Sequence, residues 1–140
     1  MSSASEELVQ RLRARRAAFD AALGAHGLTT PVTCPCCGFP GQRERSSYVD
    51  CSFCGWTDDG TDDRDADEHN LTNGTTLSDA RLAMARDLRD PSTSTRTNMS
   101  GSEMRVLPCS ADRCAARIEA MIATLPASIA PAFRAAAALV

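Results

Sequence analysis

The sequence predicts an α+β chain, a small β-hairpin ribbon flanked by about four α-helices. Three observations carry this. Five of the seven cysteines fall between positions 34 and 54 and four of the six aromatics between 39 and 56, so chemistry and packing are concentrated in one short window. Outside that window, apolar residues recur at helical spacing in four stretches. The chain has 140 residues, 43% of them apolar, which is enough for one modest core and too little for two ordinary domains.

The first helix is expected over about Ser5 to Leu23 within an N-terminal unit spanning 1–30. Leu8, Leu12, Phe19 and Leu23 repeat with spacings of four and seven, with Val9, Ala18 and Ala22 beside them. Ser3 followed by Glu6 reads as a capping box, and Gly24 or Gly27 can end the helix. Arg11, Arg13, Arg15 and Arg16 are read first as its solvated side, with phosphate binding or pairing to an acidic loop as the alternatives.

The ribbon unit is expected over 31–91. Positions 34–39 read Cys-Pro-Cys-Cys-Gly-Phe and positions 51–56 read Cys-Ser-Phe-Cys-Gly-Trp, so a Cys-x-x-Cys-Gly-aromatic unit recurs after 17 residues. Each Cys-x-x-Cys turn can aim two thiolates at one point, and four sulfurs complete the tetrahedral shell that Zn²⁺ accepts at about 2.3 Å. Cys34, Cys37, Cys51 and Cys54 are the expected ligands of one structural zinc ion. The alternatives are iron in a rubredoxin-like site and a redox Cys-x-x-Cys. Gly38 and Gly55 are expected behind the ligands, where positive φ and a missing side chain let backbone N–H groups approach the sulfurs. Between the knuckles, Gln42 to Asp50 has hairpin length, with Tyr48 and Val49 as strand residues. The whole resembles a zinc ribbon.

Seven of the eleven residues from Asp58 to Glu68 are acidic against the single Arg64, which predicts a surface loop. A calcium-loop reading fails, because counting Asp63 as position 1 puts Glu68 where glycine is needed and Gly74 where a bidentate glutamate is needed. His69 has no partner at ligand spacing and is read as a surface histidine. The next helix is expected over Leu77 to Arg89, with Leu77, Ala80, Met84 and Leu88 on one face, Thr76 or Ser78 as its cap and Pro91 beyond it. Residues 92–104 read as a flexible polar linker. The unit 105–140 is expected to hold two helices, from about Ser110 to Leu125 and from Pro131 to Val140, sharing little aromatic material with the cysteine unit.

From about Thr33 to Asp87 the chain resembles a family, the small bacterial cysteine-rich proteins named for their Cys-Pro-Cys-Cys motif. The resemblance rests on Cys34-Pro-Cys-Cys-Gly38, Cys51-x-x-Cys54, Trp56-Thr-Asp58-Asp59-Gly60, Asn73-Gly74-x-x-Leu77 and Ala80-Arg81. It departs from the usual pattern at Gly55, where bulkier residues are common, and in a longer acidic insert. What it implies is the zinc fold and a bacterial origin, without a reaction. The use of arginine for all fifteen basic residues points the same way, to a genome rich in G and C.

The remaining candidates follow from charge and thiols. The formal charge of −3 argues against broad attraction to phosphate, and four thiolates around Zn²⁺ would lower it by two more. The leading expectation is therefore a non-enzymatic module that meets another protein, with Asp58, Asp59, Asp62 and Asp63 as partner-binding residues. A nucleic-acid-binding ribbon using Arg43, Arg45 and the Arg11–Arg16 cluster is the alternative. A thiol sensor using Cys36 with Cys109 or Cys114 is third. Cys109 and Cys114 would stand about 140° apart on a helix, so they could pair only if Cys109 precedes it. No nucleophile, phosphate loop or histidine set indicates an enzyme, although Asp58 and Asp59 beside Trp56 could act as an acid/base pair. Without a leader-like N-terminus or an apolar run of about 18 residues, the expected compartment is the cytoplasm, with no membrane partner.

Overall fold

The computed structural model describes residues 3–89 and 110–139. The elements are α1 (Ser3–Ala25), the short strands β1 (His69–Asn70) and β2 (Thr75–Thr76), α2 (Leu77–Arg89), α3 (Ala111–Ile122) and α4 (Ala130–Ala137). No helix among the described residues is long and apolar enough to cross a membrane. The expected linker at 92–104 and Cys109 lie outside the described residues.

Helix α1 is the spine. Val9, Leu12, Phe19, Ala22 and Leu23 are buried along it, and both α2 and α4 pack on it. It stops where the N–H of Leu28 reaches back to the Leu23 carbonyl at 2.9 Å and Gly27 takes φ +66°, the left-handed turn that ends helices cheaply at glycine. Helix α2 has the span its periodicity predicts, and the Thr76 hydroxyl accepts from the Asp79 N–H at 3.0 Å at its start. Ser110 caps α3 by accepting from the N–H of Arg113 at 3.1 Å.

The helices and the cysteine unit share one core, contrary to the expectation that they share few aromatics. Phe133 of α4 meets Phe19 of α1 edge-on at 5.0 Å, Phe19 meets Phe39 at 5.8 Å, and Phe39 stacks on Phe53 at 4.9 Å. This row runs from the last helix to the second knuckle, and every member is buried. Cys114 and Ile118 of α3 and Leu77, Met84 and Leu88 of α2 belong to the same cluster.

The expected hairpin over Gln42 to Asp50 is absent. Each knuckle is instead flanked by its own isolated bridge, Val32 with Gln42 and Asp50 with Thr57. Ser46 and Tyr48 both take positive φ, +59° and +58°, which turns the chain between the knuckles and prevents a continuous ladder. The two-stranded antiparallel pairing lies downstream, His69 with Thr76 and Asn70 with Thr75.

Candidate metal centre

The two knuckles are built alike, because their local hydrogen bonds depend only on the repeated residue pattern. The Cys34 N–H donates to the Phe39 carbonyl at 2.9 Å and the Cys51 N–H to the Trp56 carbonyl at 2.8 Å, while the Gly38 and Gly55 N–H groups return to the carbonyls of Cys34 and Cys51 at 2.9 Å. Both glycines take positive φ, +76° and +82°. That conformation turns the next peptide inward. The N–H groups of Cys36 and Phe39 then point at the sulfurs of Cys34 and Cys37, and those of Phe53 and Trp56 at Cys51 and Cys54, all at 3.4–3.5 Å.

The knuckles face each other and bring the four predicted sulfurs together. Cys34 Sγ lies 3.7 Å from Cys54 Sγ, Cys37 Sγ lies 3.7 Å from Cys51 Sγ, and all four fall within 4.8 Å of one another. Bonds of about 2.3 Å to one ion set tetrahedral sulfurs about 3.8 Å apart, whereas a disulfide needs about 2.05 Å. The quartet therefore has the separation of a tetrathiolate site, and it could hold one metal ion.

Electrostatics favour a cation there. Burial pushes the Cys34 and Cys37 thiols well above their ordinary values, and hydrogen bonds from Cys34, Cys37 and Cys54 hold Cys51 well below its own. A divalent cation lets all four ionise, and the four inward N–H groups stabilise the resulting charge.

Residues 32–87 match the family model described as Cysteine-rich CPCC. This segment is a cysteine-rich CPCC domain. No curated protein and no solved structure matches the chain. The match includes all four clustered cysteines, the acidic loop and most of α2; α1, α3 and α4 lie outside the CPCC domain and supply the rest of its core.

Four contacts around the quartet are not among the expectations from sequence. Gly41 has no unusual φ, yet a Cβ there would stand 2.3 Å from Cys51 Sγ and 3.0 Å from Phe53, so only glycine lets the strand leaving the first knuckle pass the second. Gly38 is required twice over, since a Cβ would also meet the Leu12 carbonyl of α1 at 2.7 Å. Asn73 clamps the exit of the second knuckle, accepting from the Thr57 N–H and donating to the Thr57 carbonyl, both at 2.9 Å. Asn70 reaches Asp59 and Thr61 at 2.9 Å. The Asn73-Gly74 dipeptide was the available signal for this clamp; for Gly41 there was none.

The acidic loop departs from the expected partner-facing patch. Asp58 is wholly buried. It accepts from Arg45 at 2.7 Å and from the N–H groups of Ser46 and Gly60 at 3.0 Å. Burial alone would raise its carboxyl, but Arg45 and those two N–H groups outweigh it and hold the group below its ordinary range. Asp62 takes Arg16 through two bonds of 2.8 and 2.9 Å and Arg45 at 2.7 Å, and these hold its carboxyl well below the usual range against the effect of burial. Asp63 takes Arg81 at 2.6 Å, and Arg81, itself buried, also donates to the Pro35 carbonyl at 2.9 Å. The loop is thus a clasp that ties α1, the inter-knuckle turn and α2 to one another. Of the four aspartates expected to meet a partner, Asp58 is buried and Asp62 is occupied on both oxygens, whereas Asp59 is half-buried and the Asp63 side chain is 58% exposed.

The same pairing corrects the reading of the arginines. Arg16 and Arg45 are committed to aspartates, and Arg15, expected on a solvated face, is 1% exposed. Its Nε and Nη2 donate to the Cys37 carbonyl at 3.1 and 2.7 Å, its Nη1 donates to the Leu139 carbonyl, and its Cζ lies 4.4 Å from the Phe39 ring centroid. Burial lowers its pKa, with the cysteines, Cys37 foremost, acting in the opposite sense. A periodicity of 8, 12, 15, 19 and 22 places Arg15 on the apolar stripe, a signal that the local arginine cluster masked.

Cys36 is buried beside its neighbours, but its sulfur is not in the quartet. Cys114 is buried on α3, and the alternative that it pairs with Cys109 falls outside the described residues. His69 is exposed, and His26 bonds the Ala22 carbonyl at 2.9 Å and Ser128 at 3.0 Å.

Proposed function

We propose that the protein is a non-enzymatic module in which Cys34, Cys37, Cys51 and Cys54 hold one structural Zn²⁺ and whose surface serves another protein. The observation that carries the metal role is closure. All four sulfurs are buried at 4% exposure or less, each accepts a backbone N–H, and a four-sulfur shell has no open position for water or substrate. Zinc suits such a shell because it is redox-inert and imposes no geometry of its own. Bound there, it would supply folding free energy on the order of 10 kcal/mol, because it would tie two knuckles distant in sequence through four bonds.

The partner is read as protein because the formal charge is −3 and because Arg16, Arg45 and Arg81 are engaged by Asp58, Asp62 and Asp63 and Arg15 by the first knuckle, which leaves Arg11, Arg13 and Arg43 as the exposed cations of the cluster and the inter-knuckle turn. Large apolar side chains left in water include Tyr48, Val49 and Leu71, at 65%, 59% and 77% exposure. Elemental analysis of the purified protein tests the metal, with one zinc per chain expected and unfolding on chelation. Less than about one zinc per chain, iron in its place, or a fold indifferent to chelation would sink the reading. For the partner, a photo-crosslinker at Tyr48 is expected to label a specific protein in the native host, whereas one at the exposed Gln10 is not; equal labelling at both sites counts against it.

A further inference from the structure

We infer that Arg15 is the countercharge of the metal centre, offsetting one of the two negative charges that four thiolates around a divalent cation carry. The inference rests on the zinc reading above and goes beyond it, to a residue of α1 that lies outside the CPCC domain.

A guanidinium this deeply buried requires compensation, since an uncompensated charge in the interior costs several kcal/mol or more. Three other arginines held against the cysteine unit find it in a carboxylate: Arg16 and Arg45 at Asp62, Arg45 at Asp58, Arg81 at Asp63. Arg15 differs. Its hydrogen bonds go to the carbonyls of Cys37 and Leu139, and among the described residues no carboxylate pairs with it. What it faces is the first knuckle. It holds the carbonyl of one ligand, Cys37, and lies over Phe39, whose own N–H donates to the Cys37 sulfur.

The arrangement is complementary in sign and in depth. A tetrathiolate around Zn²⁺ is a buried dianion, and the inward N–H groups contribute only dipoles to it. Arg15 adds a full charge from the side on which α1 covers the knuckle, where water is excluded and the interaction is weakly screened. In return the dianion provides the countercharge that the described carboxylates do not. This explains why an arginine stands on the apolar stripe of α1 between Leu12 and Phe19, where periodicity calls for an aliphatic residue.

The test compares Arg15→Gln with Arg15→Lys in the full chain, by zinc affinity measured against a chromophoric chelator. Both replacements can donate one hydrogen bond toward Cys37, and they differ in charge. Arg15→Gln is expected to weaken zinc binding about tenfold, the lower end of what loss of a partner behind a metal ligand costs, while Arg15→Lys stays within about threefold of the wild type. Equal affinity for all three proteins, or equal weakening in both variants, overturns the inference. Should Arg15→Gln fail to fold in the presence of zinc, Arg15→Lys decides: near wild-type affinity supports the countercharge and a tenfold loss overturns it. The wild-type zinc content separates the two claims. A wild-type chain without zinc sinks the proposed function and this inference together, whereas a zinc-loaded chain with an indifferent Arg15→Gln sinks the countercharge alone.

Discussion

Gly41 and Cys51 touch: a methyl group on Gly41 would stand 2.3 Å from the Cys51 sulfur, and the Gly41 carbonyl accepts the N–H of Ser52 at 3.2 Å. The segment leaving the first knuckle thus forms one wall of the second. Gly41→Ala is expected to weaken metal binding tenfold or more, because the contact is with a ligand atom. Gly55→Ala is the contrast, since nothing lies within 4 Å of its Cβ and only the positive φ is strained; it should cost about 1–2 kcal/mol of stability with a smaller effect on affinity. Chelator competition and thermal unfolding of the two variants read the difference, and equal affinities would contradict it.

Cys36 sits between two cysteines of the quartet, yet its own sulfur is not part of it. Cys36→Ser is expected to keep the full metal stoichiometry at a stability cost of about 1 kcal/mol, whereas Cys37→Ser should lose the metal. Metal content measured after desalting distinguishes them. A Cys36→Ser protein without metal would show that the sulfurs reassort.

The acidic clasp carries a pH signature. Asp62 has a folded pKa below its unfolded value of about 3.9, so its contribution to stability is complete above that value and is lost as pH falls toward the folded pKa. Asp62→Asn should therefore lower stability by about 2 kcal/mol at pH 7, in line with the loss of hydrogen bonds to charged groups. The deficit should hold from pH 8 to 5 and shrink below about pH 4. Denaturant unfolding across this range is the measurement, and a deficit that grows in acid would refute the assignment.

Phe133 couples the last helix to the knuckles through Phe19 and Phe39. Phe133→Ala should cost about 3–5 kcal/mol, and the loss should appear in one unfolding transition rather than as melting of α4 alone. Hydrogen exchange in the first knuckle would report the coupling, and unchanged protection there would count against it.

Much of the local structure was legible in advance. The ends of α2 followed from Thr76, the Leu77, Met84 and Leu88 spacing and the coming proline, all short-range signals. The ligand quartet followed from the repeated knuckle pattern. The hairpin expected between the knuckles follows from the strand preference of Tyr48 and Val49, whereas the turn there is held by Asp58, whose buried carboxylate accepts the Ser46 N–H and whose backbone carbonyl accepts the Tyr48 N–H, both at 3.0 Å. By composition the acidic run reads as a surface loop, since composition carries no record of which arginines lie across from it.

The sequence by itself determined the internal turns of the two cysteine knuckles, because the hydrogen bonds within each turn run between residues at most five positions apart. Tertiary structure alone decided the fate of the charges. Arg15, Asp58 and Asp62 look like surface residues by type, and each is drawn inward because a partner from a distant segment, Cys37, Arg45 or Arg16, offsets the cost of leaving water.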